Sequence, residues 1–112
     1  MDILFKDSRL RRQCNDDSLL RRKQGKRRAE LIRRRLDELR AAASLVDIRK
    51  LPGPRCHELS GNRSGELSVD LDDPYRLLFE PAGASVPRLK DGGLNWAGVS
   101  AVRILGIEDT HG

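Results

Sequence analysis

The sequence predicts an α+β domain: a mainly antiparallel sheet with helices packed on one of its faces. Three observations lead there. An apolar stripe at steps of three and four runs through the first half of the chain, while residues 67–71 and 75–79 alternate with a period of two. A third apolar stretch, Val99–Glu108, is apolar on both of its faces. The order is therefore one short strand, then helices, then strands. At 112 residues this is a single domain, and with aromatics at only 4% its core must be built from Leu, Ile, Val and Ala.

Taken in order, Ile3, Leu4 and Phe5 form a first strand. Asp7 or Ser8 then caps a helix from about Arg9, with Leu10 and Cys14 toward the core. Asn15-Asp16-Asp17 breaks that helix and recaps a second, which runs from Ser18 to about Ser44 with Gly25 as a kink or joint. Its core stripe is Ala29, Ile32, Leu36, Leu39 and Ala43. Leu45–Leu51 is ambiguous and ends at Pro52-Gly53-Pro54. Cys56–Pro81 reads as a three-strand meander: a short piece around His57, a turn at Ser60–Gly65, a strand with Leu67, Val69 and Leu71 inward, a turn at Asp72-Asp73-Pro74, and a strand with Tyr75, Leu77 and Phe79 inward. Residues 81–98 form a long loop insertion, with Trp96 pinning its end to the core. Val99–Glu108 is a central strand, and Arg103 within it requires a cleft or a carboxylate partner.

Charge divides the chain. Residues 1–50 hold 16 Lys and Arg against 8 Asp and Glu, a net of +8, while residues 51–112 net −3. The basic half points to a polyanionic partner or, more plainly, to a solvated charged helix. Arg27 and Arg34 point away from the stripe; Arg28 and Arg35 flank one edge, where they can reach past the helix toward the sheet. Cys14 and Cys56 have no metal-ligand spacing and read as reduced core residues. No apolar run approaches the ~20 residues of a membrane span, so a soluble, cytoplasmic protein without membrane contact is expected.

Three segments, CHELSGNRSG at 56–65, DPYRLLFEP at 73–81 and the closing VRILGIEDTHG, together resemble the RelE/ParE toxin superfamily, and most of all its HigB branch. The resemblance implies a small curved sheet with helices on one side. It implies a toxin of a type II toxin–antitoxin module that enters the ribosomal A site and cuts mRNA. It also implies a cognate helix-turn-helix antitoxin, through which alone operator DNA is met. Residue by residue, His57 matches the histidine of the family's L-H-P-L-K-G segment, and Arg76 the arginine of the G-Y-R-L strand. Asp109 and His111 match the closing E-D-Y-H, where Thr110 replaces the tyrosine.

The chemistry is coherent by itself. Cleavage of RNA through its 2′-OH needs a base, an acid and a cation on the phosphate, and calls for no cofactor or metal ion. Histidine's ordinary pKa of ~6.5 suits it to either proton role. A guanidinium supplies a planar fork to phosphate oxygens. The expected catalytic set is His57, Arg76, Asp109 and His111, with Arg27, Arg28, Arg34 and Arg35 on ribosomal RNA. The plainer readings are a half-buried strand histidine, an Arg76 paired to Glu66 or Asp70 across the hairpin, and a surface Asp109. Two other functions share the resemblance: a non-enzymatic ParE-like gyrase inhibitor, and an inactive homologue retained as the antitoxin's partner.

Overall fold

In this computed structural model, which describes residues 1–109, the chain begins with strand β1 (Asp2–Phe5). Helices α1 (Ser8–Asn15), α2 (Asp17–Gln24), α3 (Lys26–Ala41) and α4 (Leu45–Arg49) follow. Strands β2 (His57–Glu58), β3 (Leu67–Asp70), β4 (Tyr75–Pro81) and β5 (Ala101–Asp109) complete it. The five strands make one open sheet in the order β1-β5-β4-β3-β2. Only β1 and β5 run parallel; the other pairs are antiparallel, so the α+β class read from the sequence is the one observed.

Local chemistry accounts for the helix boundaries. The Asp7 side chain accepts from the Leu10 N–H at 2.8 Å and opens α1, and Asp16 does the same for Leu19 at 3.1 Å at the start of α2. The long helix expected from Ser18 is two helices. Gly25, at φ +82, takes a backbone conformation that residues with a side chain rarely adopt, so it ends α2 and starts α3. The stripe residues Ala29, Ile32, Leu36 and Leu39 are buried as expected, but at its end Ala42 is buried and Ala43 exposed. The reason is that α3 stops at Ala41 and Ala42 is extended, so helical spacing no longer applies.

Alternation along the strands sends Leu67, Val69, Leu77, Phe79, Val102 and Ile104 to the helix-covered face, where they meet Leu20, Ile32, Leu36, Leu45 and Ile48. Each such side chain contributes about 1.5–3 kcal/mol over leaving it exposed. The intervening residues Ser68, Asp70, Arg76, Glu80 and Arg103 occupy the other face. There Arg103 meets Glu80, its cross-strand partner, at 3.2 Å, the carboxylate contact its position required. Burial pushes the Cys14 thiol up to about 11 and the Cys56 thiol up to about 12, so both stay protonated at neutral pH.

The 81–98 stretch carries more structure than its composition implies. Leu89 N–H donates to the Gly93 carbonyl at 2.8 Å, Asn95 N–H to the Pro87 carbonyl at 3.0 Å, and Arg88 bridges to Leu94. Leu94 and Trp96 are buried, and the Arg49 guanidinium lies 3.9 Å over the Trp96 ring. Gly98 closes the segment because a Cβ there would come within 2.9 Å of Pro87 Cβ. Among the described residues no helix is long and apolar enough to cross a membrane.

Candidate active site

His57 and Arg76 meet on the sheet face that the helices leave uncovered. Strand β2 pairs His57 with Ser68, and β3 pairs Asp70 with Arg76, so alternate residues of three strands converge on one side. Arg76 Nη1 lies 3.1 Å from His57 Nε2, and His57 Nδ1 lies 2.9 Å from the Arg55 carbonyl. A carbonyl only accepts and a guanidinium only donates. The proton therefore sits on Nδ1, and Nε2 presents its lone pair to Arg76. Arg55 turns its carbonyl this way through a left-handed backbone, φ +47, which is uncommon for a residue with a side chain.

Asp70 completes the group. Its Oδ1 is 3.6 Å from Arg76 Nε and its Oδ2 is 3.6 Å from Arg55 Nε. Oδ1 is buried with no hydrogen bond, as is the Ser68 hydroxyl on the same face. Arg63, in the turn after β2, reaches over to Glu108 on β5 at 2.6 Å and also holds Glu66 at 3.3 Å. Glu108 is the cross-strand partner of Arg76. Around His57 this face thus carries Arg55, Arg63 and Arg76 with Asp70, Glu66 and Glu108, and the Arg103–Glu80 pair lies on the same face.

The other expected residues divide. Asp109 pairs with Tyr75, so the alternation of β5 puts it on the helix side of the sheet, and it is Glu108 that shares a face with Arg76. His111 and Thr110 lie outside the described residues. Arg27 and Arg34 are exposed on α3. Arg28 does reach the sheet, but it grips Asp72 with Nε at 2.9 Å and Nη2 at 3.1 Å and lies 3.5 Å over the Tyr75 ring. Arg35 is only 7% exposed, and donates to the Asp70 carbonyl at 2.7 Å, Glu38 at 2.8 Å and the Gly53 carbonyl at 3.3 Å. Both are internal struts, because their donors are taken up by protein acceptors.

Sequence reasoning missed Arg55, Arg63 and Glu108. Glu108 was open to counting alternate positions along β5; the two arginines were not, since turns bring them in. Among the described residues no group of three or more His, Cys, Asp and Glu is placed to hold a metal ion.

The family model described as the RelE-like toxin of type II toxin–antitoxin system HigB matches residues 3–89. The matched range contains His57 and Arg76 and stops short of β5. No curated protein matches the chain.

Proposed function

Since this chain belongs to the HigB-like family of RelE-like type II toxins, we propose that it cleaves mRNA on the ribosome with the His57–Arg76 pair at its reaction centre. As a type II toxin it has a cognate antitoxin for a partner. The observation that carries the proposal is the 3.1 Å contact between Arg76 Nη1 and a His57 ring whose other nitrogen is fixed by the Arg55 carbonyl. A base and a phosphate-binding cation stand side by side, and the base has one orientation.

In the resting protein Arg76 occupies the Nε2 lone pair. A phosphodiester offers the guanidinium anionic oxygens, a stronger acceptor than a neutral ring nitrogen. Drawing Arg76 onto the phosphate bares Nε2, which takes the proton of the adjacent 2′-OH. The 2′-oxygen attacks phosphorus, the P–O5′ bond breaks, and the 5′-oxygen leaves with a proton from an acid. The products are a 2′,3′-cyclic phosphate and a 5′-hydroxyl. The Arg55 carbonyl, accepting from Nδ1–H, stabilises the imidazolium that forms, and Arg76 offsets the charge that builds on the phosphate oxygens. His111 is proposed as the acid.

Primer extension on a message translated by purified ribosomes tests this. His57→Ala and His111→Ala should each lower cleavage strongly, and Arg76→Gln by about 10²–10³-fold, as for loss of one transition-state donor. Cleavage that survives both histidine substitutions undiminished would refute the assignment. A wild-type protein that cuts nothing would refute the ribonuclease reading itself.

A further inference from the structure

We infer that Arg55 is a second phosphate-binding residue, gripping the backbone phosphate next to the one that Arg76 holds. This rests on the reading of the site as one that takes RNA.

Four observations carry it. The Arg55 side chain is 73% exposed, and its only ion pair among the described residues is the 3.6 Å approach of Nε to Asp70 Oδ2. Arg76 approaches the other oxygen of that carboxylate through its own Nε, also at 3.6 Å. One carboxylate thus sits between two guanidiniums, beyond ordinary hydrogen-bond range of each. It holds the pair side by side without using up their Nη donors. The buried Asp70 Oδ1 makes no hydrogen bond elsewhere, so its charge serves these two cations.

The ion pairing on this face agrees. Glu66 and Glu108 are engaged by Arg63 and Glu80 by Arg103, and among the described residues Asp70 is the carboxylate that Arg55 and Arg76 share. A guanidinium's planar fork matches phosphate oxygens, and two of them flanking the base suit two successive phosphates of one strand. Arg55 has two separable roles: its carbonyl orients His57, and its side chain meets the strand. A substitution that keeps a side chain at this φ removes the second role and keeps the first.

The test uses two uncleavable probes, a 2′-O-methyl dinucleotide with one phosphate and a 2′-O-methyl trinucleotide with two, titrated into the purified full chain by NMR. Wild type should bind the trinucleotide more tightly. Arg55→Gln should weaken the trinucleotide about tenfold and leave the dinucleotide unchanged, and its salt slope on the trinucleotide should fall by about 0.7, one single-strand phosphate contact. Arg55→Lys should recover part of the loss, and Arg76→Gln should weaken both probes. Equal binding of both probes by Arg55→Gln and wild type would overturn the inference. So would equal weakening of both, which would mean Arg55 acts through His57 or the fold. If wild type binds neither probe and cuts no message, the RNA reading and the inference fall together. If wild type cuts message and Arg55→Gln matches its kcat and KM, only the inference falls.

Discussion

Asp70 receives contacts from three directions. Its carbonyl accepts from Arg35 on α3 at 2.7 Å, its N–H donates to the Pro54 carbonyl at 2.7 Å, and its carboxylate lies between Arg55 and Arg76. Arg35 is therefore a positioning residue that acts on the site through the Asp70 backbone. Replacing it with Met preserves most of the apolar stem but leaves the Asp70 and Gly53 carbonyls and the Glu38 carboxylate without their donor. The expected loss is about 3 kcal/mol, the lower end for breaking a buried charged pair. Urea unfolding measures it, and cleavage should fall in the same variant as Asp70 shifts. An unchanged midpoint would show that α3 does not hold β3 through this side chain.

Between elements, the clasp of α3 on the turn from β3 to β4 has its own pH signature. The Arg28 N–H groups on Asp72 hold its carboxyl below the usual carboxylate range, against a partial burial that pushes it up. Unfolded, the same carboxyl titrates near ~3.9. A folded value below the unfolded one means that the clasp stabilises fully above that pH. Its contribution is lost as pH falls from there through the folded value. Asp72→Asn should accordingly be less stable than wild type by about 1–2 kcal/mol at pH 7, a bond to a charged group made neutral. The gap should narrow as pH falls below the unfolded value and on through the lower folded one. Urea midpoints of both proteins from pH 7 to pH 2.5 give the comparison; a gap that persists unchanged in acid would place the effect in packing and not in charge.

Across the whole molecule, the helices cover one face of the sheet and His57 with Arg76 lie on the other. Arg27 and Arg34, exposed on α3, therefore face away from the proposed reaction centre. That arrangement suits a body held between two polyanions, with message on the sheet and ribosomal RNA on the helices. Arg27→Glu with Arg34→Glu should weaken ribosome association and flatten its salt dependence, because backbone phosphate contacts carry the salt slope. Co-sedimentation with ribosomes across a salt series reads this directly. Association as tight as wild type at every salt concentration would remove these arginines from the docking surface.

The sequence by itself determined the α+β class, the strand periodicity and the core stripe, because burial selects apolar residues at the period of each element. It also determined the chemistry available near the meander, since His57 and Arg76 stand in recognisable segments. Only the tertiary structure decided which arginines were free. Helical spacing sets Arg28 and Arg35 at the edge of the stripe and Arg27 and Arg34 away from it, but whether Arg28 and Arg35 are taken up depends on Asp72, Asp70 and Gly53 lying within reach once α3 packs on the sheet. Register likewise decided that Glu108 and not Asp109 shares a face with Arg76, since moving one residue along a strand moves a side chain to the other face. The placement of Arg55 and Arg63 depended on turns, whose path is set by hydrogen bonds and backbone conformation that no periodicity in the chain records.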